Sequence, residues 1–272
     1  MKLFKRFFTG AVLFAGVFFI LFWAGKPVFC VAILFFVGAA LFEFFTLLRE
    51  SKVPSFRLFG VAIGLVIPVL VSMEQGSTHS GEVIFLILAC LFLFLLQFTR
   101  TDNSQALVGI ALTLFGILYV SWFLSFLIKM RFLPGGSLWV GYLIAVTKAG
   151  DIGAYCFGSL AGRTKLLPHV SPNKTVEGFW GGLFFSVLVA FLLRPFLPII
   201  FNRPHALLLG VIIGLLGQIG DLSESLMKRF CAAKDSGRLL PGMGGVLDIV
   251  DSILFTAPIF YFHLKIFYPA WP

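Results

Sequence analysis

Long apolar stretches alternate with short polar segments along almost the entire chain. A helix needs about 17–25 predominantly apolar residues to cross a bilayer, and nine stretches reach or approach that length. They cover residues 7–24, 28–48, 56–73, 83–99, 106–128, 138–157, 179–201, 205–220 and 250–268. The pattern therefore predicts an all-α integral membrane protein, a polytopic helical bundle of about nine transmembrane helices.

Composition favours a membrane protein and excludes a soluble one. Of the 272 residues, 59% are hydrophobic and only 12% are charged, and the mean hydropathy is +1.02. Soluble domains contain about 45–50% apolar and about 25% charged residues, so this chain has too few charges to cover so much apolar surface. We predict two regions, N-terminal transmembrane helices in 1–145 and a motif-bearing transmembrane region with cytoplasmic loops in 146–272.

The distribution of basic residues predicts the orientation in the membrane. With a cytoplasmic N-terminus, nine spans place 15 of the 21 Lys and Arg residues on the cytoplasmic side, where membrane proteins carry such an excess. The two long polar segments, about 158–178 and 221–249, then face the cytosol. This topology and contact with anionic lipids explain the net charge of +9, so nucleic acid is not an expected partner. We expect a multi-pass protein of the cell membrane, of the bacterial inner-membrane type.

One predicted helix combines a glycine stripe with charged residues on the same face. Within 210–229 these positions step by three or four residues, which places them along one side of a helix. They are Gly210, Gly214, Gly217, Asp221, Glu224 and Lys228. Small residues at this spacing let a second helix approach closely, and we expect a homodimer through this helix. Packing alone does not explain the charged half, because acids near a span usually mark an ion or substrate site.

A glycine-rich turn follows this helix. Residues 241–245 (Pro-Gly-Met-Gly-Gly) cannot continue a helix, and their backbone N–H groups can cradle an anion. Asp248 and Asp251 come next and share a helical face at the start of the last span. Brought near Asp221 and Glu224, they would provide oxygen ligands for a hard divalent cation, Mg²⁺ or Mn²⁺. With lysines and arginines nearby to contact phosphates, the region is typical of nucleotide or pyrophosphate chemistry at a membrane surface.

A third polar segment follows the sixth predicted span. It contains Lys165 and Lys174, which are further candidates for phosphate contact. Ser171 or Asn173 is placed to cap the next helix, with Glu177 in its first turn. Walker A, G-x-G-x-x-G and Ser-His-Asp patterns are absent from the sequence, so P-loop, Rossmann and serine-hydrolase functions find no support.

Three strings within residues 150–252 form one long pattern. They read Asp151-x-x-Ala-Tyr155-x-x-Gly158-x-x-x-Gly162-Arg163 with Ser171-Pro172-x-Lys174-Thr175-x-Glu177-Gly178-x-x-Gly181-Gly182, then Gly220-Asp221-Leu222-x-Glu224-Ser225-Leu-Met-Lys228-Arg229, then Lys234-Asp235 with Leu240-Pro241-Gly242-x-Gly244-Gly245-x-x-Asp248-x-x-Asp251. This pattern resembles the signature of the phosphatidate cytidylyltransferases, or CDP-diacylglycerol synthases. The chain departs from it at Met243, where the family has His or Gln, and at Ile249, where the family has Arg.

The resemblance implies a reaction and a set of site residues. The family transfers the cytidylyl group of CTP to phosphatidate, giving CDP-diacylglycerol and pyrophosphate for phospholipid biosynthesis. The implied ligands of Mg²⁺ or Mn²⁺ are Asp221, Glu224, Asp248 and Asp251, which act in catalysis with Lys228 and Arg229. The implied substrate-binding residues are Lys165, Ser171, Lys174, Ser225, Lys234, Asp235, Arg238, Pro241, Gly242, Gly244 and Gly245.

Two other functions remain as alternatives at this stage. A CTP-dependent lipid kinase of the polyprenol or phytol type would transfer the γ-phosphoryl group instead. A cation-coupled transporter would use buried acids as an ion path, near the bilayer midplane and within inverted repeats. The CDP-alcohol phosphotransferases need a D-G-x2-A-R string, which this sequence lacks.

Overall fold

The computed structural model describes residues 2–74, 80–197, 202–237, 239, 242 and 244–267. Most of these residues lie in ten α-helices. The helices are α1 (Lys2–Phe22), α2 (Lys26–Glu50), α3 (Arg57–Met73), α4 (Ser80–Phe98), α5 (Ala106–Gly116), α6 (Phe123–Phe132), α7 (Gly136–Ala161), α8 (Val176–Leu193), α9 (Arg203–Phe230) and α10 (Leu247–Phe267). A π-helical segment, Ile117–Trp122, joins α5 to α6, and a 3-10 turn, Arg194–Phe196, extends α8. Each predicted span overlaps one of these helical segments.

Six helical segments of the described chain are long and apolar enough to span a membrane. They are Lys26–Glu50, Gly81–Phe98, Ala106–Phe132, Val176–Phe196, Arg203–Phe230 and Leu247–Phe267. Helix α3 and the apolar part of α1 are shorter, and α7 carries Lys148 and Asp151. Many large apolar side chains, such as Leu88 on α4, are exposed along the helices, which suits lipid better than water. The class of helical membrane protein is thus confirmed, while the count of nine spans stays a prediction.

A two-stranded antiparallel hairpin separates α7 from α8. Strand β1 (Lys165–Leu167) pairs with β2 (Ser171–Thr175), and Lys165 lies opposite Thr175. The prediction of an all-α fold is therefore wrong in this segment. The strands are only three and five residues long, and β2 contains a proline and an asparagine, which are depleted in strands, so no alternating apolar pattern marks them.

Thr175 ends this hairpin and caps α8. Its side-chain oxygen accepts a hydrogen bond from the backbone N–H of Gly178 at 3.1 Å. The prediction of Ser171 or Asn173 as the cap is wrong, because β2 continues as far as Thr175. Glu177 lies in the first turn of α8, as predicted, where a carboxylate interacts favourably with the helix dipole.

The chain folds as two compact units. One comprises Met1–Phe132 and Cys231–Asp248, and the other comprises Leu133–Phe230 and Ile249–Pro272. This division differs from the predicted boundary at residues 145 and 146 because that position lies inside α7. The polar segment after α9 belongs to the unit that contains the N-terminal helices. The predicted division into two continuous regions assigned this segment to the second region.

The core of the first unit lies where α2, α3 and the π-helical segment pack together. Phe45, Ile67 and Ile117 are fully buried there. The hydroxyl of Ser121 in the π-helical segment donates a hydrogen bond to the carbonyl oxygen of Gly64 on α3. This contact satisfies a buried hydroxyl in an otherwise apolar interface, as the bilayer interior requires.

Glycines of α9 permit close helix packing inside the second unit. A Cβ at Gly210 would lie 2.6 Å from Cα of Val187, and one at Gly214 would lie 2.9 Å from Cβ of Ser186, both on α8. The predicted close approach of a second helix is confirmed, and that helix is α8 of the same chain. The stripe is therefore covered within the chain, so a homodimer, which stays a prediction, would have to use another surface.

Candidate functional site

Three carboxylates from two helices meet in the second unit. Asp221 and Glu224 lie one turn apart on α9, and Asp251 lies on α10. A carboxylate oxygen of each lies within 4.8 Å of those of the other two. Glu224 has no exposed surface, and Asp251 is only 6% exposed. The structure thus brings together three of the four acids predicted to bind a metal ion.

A glycine lets α9 and α10 approach at this point. A Cβ on Gly220 would overlap the carbonyl oxygen of Asp251 and would lie 3.2 Å from Cα of Ser252. Because the obstructing atoms are backbone, they cannot turn aside as a side chain can. Gly220 therefore sets the distance at which Asp251 reaches the acids of α9.

The three acids fit a hard divalent cation. Mg²⁺ and Mn²⁺ prefer oxygen ligands, and carboxylates are their usual protein ligands. Bringing three negative charges together, two of them on buried side chains, is unfavourable unless cations neutralise them. The site of Asp221, Glu224 and Asp251, which we call the carboxylate cluster, has the donor set for such an ion.

Two lysines predicted as phosphate ligands contact the carboxylate cluster. Nζ of Lys174, at the end of β2, lies 2.9 Å from Oδ2 of Asp221. Lys228 forms an ion pair with Glu224 one turn earlier on α9. The hairpin therefore places a cation at one edge of the cluster, and α9 supplies another from its own last turn. Both lysines are positioned where an anionic substrate that approaches the cluster would meet positive charge.

Lys148 on α7 belongs to the same region, although it was not among the predicted site residues. Its ammonium donates to Oδ2 of Asp151 at 2.9 Å, to the carbonyl oxygen of Ile249 at 2.8 Å and to Oγ of Ser252 at 2.8 Å. These contacts fix the turn of α10 that contains Asp251. The signal that could have identified Lys148 is a lysine three residues before an aspartate inside a predicted span, because charges within spans are costly and usually functional.

The remaining predicted residues of the second unit lie on the hairpin or on α9. Nε of Arg229 donates to the carbonyl oxygen of Val170, in the turn of the hairpin, at 3.3 Å. Ser225 is buried beside Glu224 on α9, Ser171 begins β2, and Lys165 on β1 is exposed. Substrate contacts of these residues stay predictions.

Asp248 takes part in a hydrogen-bond network within the first unit. Its Oδ2 accepts from the backbone N–H of Ser236 at 3.0 Å, the hydroxyl of Ser236 at 2.9 Å and the N–H of Gly245 at 2.7 Å. Glu43 of α2 accepts from the N–H groups of Val246 and Leu247, each at 2.9 Å. The N–H groups of Gly245, Val246 and Leu247 thus bind two carboxylates of the protein. Gly245 belongs to the turn 241–245, whose N–H groups the sequence suggested as a cradle for an anion. Metal binding by Asp248 stays a prediction.

The segment between α9 and α10 contains the other predicted substrate ligands. Lys234 and Asp235 are exposed. Gly242 and Gly244 have positive φ angles of 84° and 93°, which glycine adopts readily, so a turn forms here as the sequence indicates. Four positions of this segment lie outside the described residues. They are the predicted ligand Arg238 and the pattern positions Leu240, Pro241 and Met243.

Comparison with known proteins finds sequence similarity over most of the chain. The model of the Cytidylyltransferase family matches residues 4–267. The phosphatidate cytidylyltransferase of Bacillus subtilis (strain 168) is 36% identical over 267 residues, which cover 97% of this chain and 98% of that protein. The phosphatidate cytidylyltransferase of Staphylococcus aureus (strain COL) is 39% identical over 202 residues, 73% of this chain and 75% of that protein. The Escherichia coli (strain K12) protein YnbB, which is named uncharacterized, is 40% identical over 157 residues, 58% of this chain and about half (52%) of that protein.

Proposed function

Because the chain belongs to the cytidylyltransferase family, we propose that it transfers the cytidylyl group of CTP to phosphatidate, giving CDP-diacylglycerol and pyrophosphate. The observation that carries this proposal is the carboxylate cluster with Lys174 and Lys228 at its edges. It occurs in a chain that is similar to a bacterial phosphatidate cytidylyltransferase over almost its full length. The product serves membrane phospholipid biosynthesis.

The chemistry of this transfer suits the residues of the site. A phosphate oxygen of phosphatidate forms a bond to the α-phosphorus of CTP, and the bond from that phosphorus to the bridging oxygen of pyrophosphate breaks. The attacking oxygen is already anionic, so the reaction needs no general base to activate it. The obstacle is repulsion between two anions, which cations positioned beforehand reduce.

Within this proposal, Asp221, Glu224, Asp251 and Asp248 hold Mg²⁺ or Mn²⁺. When bound there, the ion neutralises phosphate charge and orients the nucleotide. Lys174 keeps Asp221 in place before the substrate arrives and then meets phosphate oxygens. Lys148 remains paired with Asp151 and supplies a positive charge beside the backbone of Ile249. Position 249 is the one at which the family pattern has arginine.

The proposed substrate-binding residues form two groups. Those near α9 are Lys165, Ser171, Lys174, Ser225, Lys228 and Arg229. Those between α9 and α10 are Lys234, Asp235, Arg238, Pro241, Gly242, Gly244 and Gly245. Lysine and arginine bind phosphates as charged donors, and glycines let a phosphate approach the backbone closely.

The proposed topology follows from the substrates. CTP is a charged solute of the cytosol, and phosphatidate lies in the membrane. We therefore place the N-terminus, residues 158–178 and residues 221–249 on the cytoplasmic side of a bacterial inner membrane, with nine spans. The excess of Lys and Arg in these segments supports this orientation.

Labelled CTP tests the proposed reaction. Purified protein in vesicles that contain both phosphatidate and a polyprenol receives CTP labelled either in the α-phosphate or in the γ-phosphate. Cytidylyl transfer places the α-label in the lipid and the γ-label in pyrophosphate. Label from the γ-phosphate in the lipid would establish the lipid-kinase alternative, and no labelled lipid from either CTP would favour the transporter.

A further inference from the structure

Glu43 is a buried acid within an apolar helix, two turns before the end of α2. It lies on α2 and is only 6% exposed, and its helical neighbours Leu41, Phe44 and Phe45 are buried apolar residues. An acid inside a membrane helix is costly unless its carboxylate finds donors, and such residues are usually functional. Glu43 belongs to no recognisable motif in the sequence, because a single acid carries none.

The donors that compensate this cost come from the start of α10. Oε1 of Glu43 accepts from the N–H of Val246 at 2.9 Å, and Oε2 accepts from the N–H of Leu247 at 2.9 Å. The first N–H groups of a helix have no partner within the helix. Glu43 thus supplies from α2 the cap that a neighbouring residue normally supplies.

Two glycines leave the space that this carboxylate occupies. A Cβ at Gly245 would overlap Oε2 of Glu43, and a Cβ at Gly237 would overlap Oε1. The two glycines lie on opposite sides of the segment 238–244. Gly237 and Gly245 therefore both lie against the carboxylate of Glu43, and a side chain at either position would displace it.

Ser236 links Glu43 to Asp248. Its hydroxyl oxygen lies 3.1 Å from Oε2 of Glu43 and 2.9 Å from Oδ2 of Asp248, and it donates its single hydrogen to one of them at a time. Ser236 is only 5% exposed, so water does not replace this contact. A change in the position of Glu43 is consequently passed to Asp248 through one shared hydroxyl and through Gly245.

We propose that Glu43 is a positioning residue for the cytidylyl transfer: it fixes Ser236 and the first turn of α10, and thereby holds Asp248 in the orientation that the reaction needs. The inference rests on the proposed function. Glu43 and Asp248 together bind Ser236, Gly245, Val246 and Leu247. Glu43 acts through Asp248 and does not touch substrate.

Glu43→Gln tests this role with minimal change in shape. A glutamine has one acceptor oxygen, and its NH₂ group would face one of the two backbone N–H groups. Residues supporting a metal ligand typically contribute 10–100-fold, so we expect kcat to fall by about that factor while KM for phosphatidate changes by less than about twofold. Amide hydrogen exchange in the peptide 236–247 should accelerate, with exchange in α9 unchanged.

Glu50→Gln is the matched control, because Glu50 is an exposed acid at the end of the same helix. It should leave both the kinetics and the exchange at wild-type values. If Glu43→Gln does not fold, Ser236→Ala removes only the shared hydroxyl and should give a several-fold loss of kcat with faster exchange at Gly245.

A folded Glu43→Gln variant with the kcat of wild type would overturn the inference. If Glu43→Gln does not fold, a Ser236→Ala variant with the kcat of wild type would overturn it. Unchanged exchange in 236–247 would overturn it as well. Failure of the proposed function gives a different result, because the wild-type protein itself would then form no CDP-lipid.

Discussion

Lys174, the fourth residue of β2, places its ammonium 2.9 Å from Oδ2 of Asp221 on α9. The ion pair joins the hairpin to the carboxylate cluster across 47 positions of sequence. Both side chains remain partly exposed, at 23% and 38%, although Nζ of Lys174 is itself buried against Asp221. In this pair, the predicted phosphate ligand Lys174 contacts the predicted metal ligand Asp221 directly.

Replacing Lys174 with methionine should weaken CTP binding more than it weakens the fold. A hydrogen bond between charged groups contributes about 1.5–3 kcal/mol, so we expect KM for CTP to rise about tenfold or more. A partly exposed ion pair contributes less than about 1 kcal/mol to the free energy of unfolding. Lys174→Arg keeps the charge and should retain most of the CTP affinity. Equal KM values for CTP in wild type and Lys174→Met would show that Lys174 does not bind the nucleotide.

Lys148 should be needed for activity although it lies outside the predicted motifs. Lys148→Met removes the donor from three acceptors, including Asp151, and leaving polar groups unsatisfied costs about 1–3 kcal/mol each. We expect at least a tenfold loss of CDP-lipid formation, as for other residues that support a site. Adding Ile249→Arg, the residue of the family pattern, should restore part of the activity. The exposed Lys26→Met at the start of α2 is the control, and a variant of Lys148 as active as that control would refute the role.

Gly220 should not tolerate alanine even though alanine favours helices. A methyl group there would overlap the backbone of Asp251, and overpacking costs about 1–3 kcal/mol. This exceeds the gain of about 1 kcal/mol from helix propensity. Gly220→Ala should therefore lower the midpoint of thermal unfolding and the activity together. Gly16→Ala on α1, where the methyl group meets nothing within 4 Å, should be neutral or stabilising, and the same result for Gly220 would contradict the proposed contact.

The proposed topology can be tested with single cysteines. Ser236, which lies in the segment expected to face the cytosol, is buried, so Leu239, which is 58% exposed, is the better position. A protein with serine at its four native cysteines receives Leu239→Cys or, on the opposite side, Arg203→Cys. An impermeant thiol reagent added outside intact cells should label the second variant and leave the first unlabelled until the membrane is opened. The reverse pattern would invert the orientation and deny CTP access to the site.

Local periodicity predicted one side of the site well. Asp221, Glu224 and Lys228 fall on one face of α9 because a helix repeats every 3.6 residues, and the structure extends that helix to Phe230. The predicted span ended at residue 220 because hydropathy falls where the charges begin. Helix α9 nevertheless continues, and its charged turns form the site.

Contacts between distant parts of the sequence could not be predicted in the same way. Glu43 lies 203 positions from Val246, and nothing around it in sequence indicates a partner. The hairpin could not be predicted from the sequence either, because its strands are too short to show an alternating pattern. Asp248 was expected only as a metal ligand, yet its bonds to Ser236 and Gly245 mean that Asp248→Asn would disturb the turn as well as any metal.

Asp251 is therefore the sharper position for testing the carboxylate cluster. Asp251→Asn keeps the shape of the side chain and removes one negative charge from the group of three acids. Changes around metal ligands typically cost 10–100-fold, and loss of a ligand should cost at least as much. The exposed Asp102→Asn, in the loop before α5, is the matched control.

The most direct test measures pyrophosphate and CDP-lipid in the same reaction, with CTP, phosphatidate and limiting Mg²⁺. We expect wild type and Asp102→Asn to form the two products in equal amounts and at equal rates. For Asp251→Asn, we expect both rates to fall by about 100-fold or more and to recover partly as Mg²⁺ is raised. CDP-lipid formation by Asp251→Asn at the wild-type rate under limiting Mg²⁺, or pyrophosphate release by wild type without CDP-lipid, would contradict cytidylyl transfer at this cluster.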